Sequence, residues 1–265
     1  MSEVFTLHQG ASPLLVSVPH AGTHIPSEMR SLFTDKALEV ADTDWHLDVL
    51  YDYVKTQNAS LLVPQHSRYV IDLNRPPDGA AMYPGANNTG LCPATDFYGD
   101  SIYQPGCAPD AQQVAQRIAQ YWQPYHAALA SELARIKALH GYAVLFDGHS
   151  IKSQVPWLFE GTLPDLNIGT ANGASCAANL REGVAQWLAG QSDFSHVMDG
   201  RFKGGYITRQ YGRPEQGIHA VQLEMCWSTY MQESPPYVLN PQRQARIHPL
   251  LQGLTSLLAT VVPHG

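Results

Sequence analysis

The sequence predicts an α/β fold, with three αβα layers built on a largely parallel, mixed central sheet. Three observations predict it. Short apolar runs at 14–18 and 142–146 read as strands buried on both faces. Segments of helical periodicity alternate with them, and that alternation joins parallel strands through helical crossovers. Four apolar runs, at 14–18, 69–71, 142–146 and 219–223, close in polar signatures: Pro19-His20-Ala21-Gly22, Asp72-Leu73-Asn74-Arg75, Asp147-Gly148-His149-Ser150 and Gln222-Leu223-Glu224-Met225. Open α/β sheets bind ligands just beyond the carboxyl ends of their strands, so the four signatures share one crevice.

Taken in order, 14–18 is a Val- and Leu-rich strand ended by Pro19 and a turn containing Gly22. Segments 27–33 and 35–40 read as short helices. Segment 45–56 places Trp45, Leu47, Val49, Leu50, Tyr53 and Val54 at the spacing of an amphipathic helix, with Asp42, Thr43 and Asp44 at its amino end. Strands follow at 60–63 and 68–73. Residues 76–93 are rich in Pro, Gly and Asn with little regular pattern, and long irregular loops of this kind often cover active sites. The longest helical pattern spans 110–139, kinked or broken at Pro124 and ended by Gly141. After the strand at 142–146 come a helix at 174–189, a short strand at 196–198, a glycine-initiated helix at 204–211, a strand at 219–225 and a closing helix at 240–261.

These signals run through all 265 residues without a low-complexity break, which predicts one domain over 1–265. Sixteen Lys and Arg against 23 Asp and Glu give a formal charge of −7, which argues against a nucleic-acid or anionic-membrane surface. Any bound anion must therefore be held by local arginines. No stretch approaches the roughly 20 apolar residues that span a bilayer, and the amino-terminal ten residues lack a signal-peptide pattern, so a cytoplasmic protein is expected. Cys92, Cys107, Cys176 and Cys226 are widely spaced, which disfavours a thiolate zinc site and a disulfide framework alike. His8, His248 and His264 lie near the ends and read as solvent-facing.

A zinc hydrolase presents three imidazole or carboxylate ligands and leaves a position open for water. His20 and His149 are the best imidazoles, since each follows a buried strand and is flanked closely by glycine, which permits a sharp turn. Asp44 is chosen as third ligand over Asp42, Glu28 and His24; one of the two aspartates suits a helix cap and the other a metal. Glu224 reads as the general base, because a carboxyl among apolar and aromatic neighbours is pushed toward working pH. Asp147 is then a residue that orients a liganding imidazole. Asn74 and Arg75 suit a substrate carboxylate, and Arg68 the oxygen that turns negative in a tetrahedral intermediate. Lys203, Arg209 and Arg213 are candidates for a second carboxylate. Loop histidines bonded to the main chain, capping aspartates and structural ion pairs are the plainer alternatives for all these residues.

Ser17-Val18-Pro19-His20-Ala21-Gly22, Asp42-Thr43-Asp44-Trp45, the segment from Ser67 to Arg75, Asp147-Gly148-His149-Ser150, Lys203-Gly204-Gly205-Tyr206-Ile207-Thr208-Arg209 and Gln222-Leu223-Glu224-Met225 resemble the N-formylglutamate amidohydrolase family. The likeness extends over nearly the whole chain. It implies a phosphorylase/hydrolase-like fold related to the zinc carboxypeptidases, and hydrolysis of N-formyl-L-glutamate to formate and L-glutamate in histidine degradation. A more distant likeness to aspartoacylase-type zinc enzymes concerns Asp72-Leu73-Asn74-Arg75, where that group uses an Asn-Arg pair for the substrate carboxylate and an earlier arginine for the oxyanion. Those enzymes take a glutamate three residues after the first histidine, whereas position 23 here is Thr23.

The expectation is therefore one Zn2+ on His20, Asp44 and His149, with Glu224 and Arg68 catalytic. Asn74 and Arg75 bind the α-carboxylate, and Arg209 or Arg213 binds the γ-carboxylate. The same ligands also suit iron, cobalt or manganese. The alternatives are a zinc deacylase of another N-acyl amino acid, or of a cell-wall peptide, and a non-catalytic binder of small dicarboxylates.

Overall fold

The computed structural model describes residues 4–80 and 89–263. Seven strands, β1 (Phe5–His8), β2 (Leu14–Ser17), β3 (Ser60–Pro64), β4 (Ala143–Ile151), β5 (Leu166–Gly169), β6 (His196–Met198) and β7 (Ile218–Cys226), form one sheet in the order β1-β3-β2-β4-β7-β5-β6. The central four, β3-β2-β4-β7, are parallel. β1 runs antiparallel to β3, and β5 with its parallel partner β6 runs antiparallel to β7, so the sheet is mixed as expected.

Helices α1 (Leu47–Leu50), α2 (Ala111–Arg117), α3 (Gln123–His140), α4 (Ala178–Ala189), α5 (Tyr206–Tyr211) and α6 (Pro241–Thr260) cover both faces. Strand alternation decides which side chains meet which layer. Val144, Phe146, Val221 and Leu223 pack with Leu47, Leu180, Val184, Leu251 and Leu254 of α1, α4 and α6. Leu15, Leu62, Ala143, Leu145 and Ala220 pack on the opposite face with Tyr125, Leu129, Leu133 and Ile136 of α3. Every residue of β4 is buried, which is why its sequence is a continuous rather than an alternating apolar run. Fully burying one such Leu or Val contributes about 2 kcal/mol.

Several local expectations are corrected. Segment 68–73 is not a strand but a turn-rich segment; Tyr69, Val70 and Ile71 are apolar because that turn is buried. Arg68 and Asp72 meet at 2.6 Å there, whereas four residues of strand would hold their backbones about 13 Å apart. The helices expected at 27–33 and 35–40 are single 3-10 turns, Arg30–Leu32 and Ala37–Glu39. The helix at 45–56 reduces to α1 and a 3-10 stretch, Asp52–Gln57. The long pattern at 110–139 divides into α2 and α3 across a π turn, Ile118–Trp122. Pro124 explains that turn, since its ring cannot approach the carbonyl four residues earlier and it donates no hydrogen bond. β1 and β5 carried no usable signal: each has only four residues, and β5 interrupts its apolar pair with Asn167 and ends in Gly169.

Residues 81–88, the middle of the irregular 76–93 segment expected to cover the site, lie outside the described residues, as does His264. No described helix is long and apolar enough to cross a membrane.

Candidate metal centre and its cleft

The same alternation that sends Leu145 and Ala220 into the core sends Asp147, His149, Gln222 and Glu224 along the same face, one and two steps further toward the carboxyl ends. The register pairs Asp147 with Gln222 and His149 with Glu224, so His149 and Glu224 are direct cross-strand neighbours. Both signatures thus sit within the last turns of strand and not beyond them. Gly148 serves no sharp turn: it lies within β4 opposite Leu223, where an added Cβ would stand 3.2 Å from the Tyr51 ring. Gly22 is required by close approach, since a Cβ there would come within 2.3 Å of the His66 carbonyl oxygen.

His20, just past β2, and Asp44, just before α1, converge on His149. One donor atom from each lies within 4.8 Å of the other two, and all three residues are buried. Asp44 Oδ2 is 3.1 Å from His149 Nδ1 and 3.7 Å from His20 Nδ1; donors of a tetrahedral zinc site stand about 3.3 Å apart. The far nitrogens meet carboxylates. His20 Nε2 is 2.7 Å from Asp72 Oδ1, and His149 Nε2 is 3.1 Å from Asp147 Oδ1, an oxygen with no hydrogen bond of its own. A proton on each Nε2 leaves both Nδ1 lone pairs facing the Asp44 oxygen, the arrangement that carboxylate partners impose on liganding imidazoles.

Asn74 occupies the wall beside His149. Its Oδ1 accepts from the Ile207 backbone at 2.8 Å, which turns its Nδ2 toward His149 Nε2 at 3.0 Å. In the absence of a cation the His149 proton can therefore sit on Nδ1, bonded to Asp44, with Nε2 accepting from Asn74. A cation between the donors selects the other tautomer and gives Asp147 Oδ1 its hydrogen bond. Gly205 makes room for this strut, because a Cβ there would lie 2.3 Å from Asn74 Nδ2.

The electrostatics call for positive charge. Buried Asp44, Asp72, Asp147 and Glu224 surround the centre, while Arg68 is 2.6 Å and Arg75 4.0 Å from Asp72. With Glu224 held largely neutral by burial, the three aspartates against two guanidinium groups leave a small negative excess that a divalent ion offsets. Burial opposes ionisation of Asp72, yet Arg68, His20 and Arg75 outweigh it and hold the carboxyl well below the usual range. His149 is likewise opposed by burial but held well above the ordinary histidine value by Asp147 and Asp44. His20 is lowered, by burial and then by Arg68. Glu224 is pushed far above the usual carboxylate range, chiefly by burial. The donor set and the charge excess both fit a bound divalent metal.

The cleft over this centre has a volume of about 650 Å³ including its open mouth, and Arg68, Asn74, Arg75, Glu224, Phe97, Ile151, Leu158, Arg201 and Phe202 help to line it. Arg68 lies under the Phe97 ring, 4.9 Å from its centroid. Arg75 donates to the Thr89 carbonyl and hydroxyl at 2.8 and 2.9 Å. Arg209 and Arg213 do not line the cleft. Arg209 donates to the Gly204 carbonyl just before α5, and Arg213 to the carbonyls of Arg209 and Gly212 at its carboxyl end. Asp42 is also no ligand, since its Oδ2 accepts from the Phe97 backbone and so fixes the loop that carries Phe97.

The model of the N-formylglutamate amidohydrolase family matches residues 12–231. The chain belongs to the N-formylglutamate amidohydrolase family. It is 46% identical over 258 residues to an N-formylglutamate deformylase of Pseudomonas putida, covering 96% of each chain. It is equally identical to one of Pseudomonas aeruginosa, covering 96% of this chain and 97% of that one. The solved structure of an N-formylglutamate amidohydrolase from Ralstonia eutropha superposes with a TM-score of 0.78 at 25% identity, covering 97% and 96% of the two chains. A gene product of Agrobacterium tumefaciens shares the fold at a TM-score of 0.75 and 19% identity over 97% and 95%.

Within this amidohydrolase fold the chain brings His20, Asp44, Arg68, Asn74, Arg75, His149 and Glu224 to one cleft from five separate segments. Asp72 and Arg201 are the additions. Asp72 was visible as part of a signature but not as the partner of both His20 and Arg68. Arg201 follows no apolar run, and the only sequence sign near it is the glycine-rich stretch that begins at Gly200.

Proposed function

We propose that this protein is a metal-dependent amidohydrolase that cleaves N-formyl-L-glutamate to formate and L-glutamate. The observation that carries the reading is the convergence of His20, Asp44 and His149 beside Glu224, in a chain 46% identical to proteins named N-formylglutamate deformylase. A zinc ion held by those three residues supplies a Lewis acid that polarises the formyl carbonyl and acidifies the attacking water.

The chain's own residues do the remainder. Glu224 takes a proton from the water that adds to the formyl carbon and delivers it to the departing nitrogen as the C–N bond breaks. Its burial supports this role, because a carboxyl held above its usual range is a stronger base. Arg68, immobilised between Asp72 and Phe97, meets the oxygen that becomes negative. Arg75 takes the α-carboxylate, and Asn74, its amide engaged with Ile207 and His149, braces the wall beside it.

Formate release tests the reading directly. The protein should release one formate per N-formyl-L-glutamate and turn over N-acetyl and N-succinyl analogues far more slowly. A chelator should abolish activity, and added Zn2+ should restore it. Full turnover in chelator would refute the metal dependence, and no turnover of the formyl substrate would refute the substrate.

A further inference from the structure

We infer that Arg201 is the specificity-determining residue for the substrate's side-chain carboxylate, the role that sequence alone gave to Arg209 or Arg213. This rests on the function proposed above and deepens it. Three arginines line the cleft, and two of them, Arg68 and Arg75, stand close to Asp72 on the side of the 68–75 turn. Arg201 comes from elsewhere in the chain, the segment that follows β6. Around it the lining is apolar: Leu158, Phe202 and Ile151. Methylene groups followed by a carboxylate fit a wall of that character ending in a guanidinium, since the apolar part loses water and the charged part gains a fork of donors.

The segment carrying Arg201 is held firmly. Asp199, with φ of +53°, accepts from the Thr170 backbone and hydroxyl at 2.7 Å each and from Arg181 at 3.0 Å. The Ala171 backbone donates to the Lys203 carbonyl at 2.6 Å. Gly169 admits the far end of the segment, since a Cβ there would stand 2.4 Å from the Gly204 nitrogen. Arg201 itself donates to the Leu158 carbonyl at 3.1 Å, which ties the segment after β6 to the segment after β4. A guanidinium on so anchored a support loses little freedom on binding, so it can discriminate a carboxylate from a neutral amide.

The test compares wild type, Arg201→Gln and Arg201→Lys as metal-loaded enzymes on N-formyl-L-glutamate and N-formyl-L-glutamine, with calorimetric binding of L-glutamate and L-glutamine in parallel. A charged hydrogen-bonding partner of this kind is worth about 30-fold in affinity. Arg201→Gln should reduce the glutamate-over-glutamine ratio of kcat/KM by about 30-fold, mostly through KM for the formylglutamate, and Arg201→Lys should recover part of it. The same ratio should fall in binding. A ratio that stays within threefold of wild type, or equal losses on both compounds, would overturn the assignment. Wild-type protein that binds L-glutamate through Arg201 yet releases no formate would refute the proposed reaction and leave the carboxylate subsite standing.

Discussion

Glu224 and His149 face each other across two parallel strands, yet their environments push them apart chemically. Burial keeps the Glu224 carboxyl reluctant to ionise, while Asp147 and Asp44 outweigh burial at His149 and hold it above the ordinary histidine value. A base that neighbours a ligand without being one must be separable from metal binding. Glu224→Gln should lower kcat for formate release by about 10³-fold, while the purified variant retains the metal content of wild type. A variant that loses its metal would make Glu224 a ligand instead. At this scale the sequence carried the residue types well, because His20, His149 and Glu224 follow apolar runs that mark buried strands. Arg201 was hidden since its position is set by a turn around Asp199, a tertiary hydrogen-bond hub that no local pattern announces.

At the scale of elements, α3 supports the centre through His126, whose Nε2 lies 2.9 Å from the Leu73 carbonyl, between Asp72 and Asn74. Trp122 stacks on the ring at 3.7 Å, and burial lowers its pKa to about 4. The native state therefore keeps this histidine neutral, whereas the unfolded chain protonates it below about 6.5. Its contribution to stability is complete above pH 6.5 and is lost as pH falls from there toward 4, a total of about 3 kcal/mol. His126→Gln should flatten the pH dependence of stability across that window, read as urea midpoints at pH 7 and pH 4.5. An equal fall in wild type and variant would remove His126 from the account. The buried strands β4 and β7 were legible because continuous burial writes a continuous apolar run. The turn at 68–73 was misread for the same reason, since burial of Tyr69, Val70 and Ile71 looks identical in a strand and in a packed turn.

Across the whole molecule, a chain with net charge −7 collects three of its arginines in one cleft. The parallel centre of the sheet brings the carboxyl ends of β2, β4 and β7 to one edge, and the segment after β6 adds Arg201 and Phe202 to the lining of the cleft. Fold class and crevice followed from the alternation of strands and helices, which long-range order obeys. The pairing of each imidazole with its carboxylate did not, since it depends on contacts such as His20 with Asp72 across 52 positions of sequence. One measurement reaches the heart of this arrangement: elemental analysis of metal in dialysed wild type, His20→Ala and His149→Ala, with folding checked by circular dichroism. About one zinc or other divalent ion per wild-type chain, and less than about a tenth in either folded variant, is the predicted result. Active wild-type protein without a stoichiometric metal, or full metal retention when either histidine is removed, would contradict it.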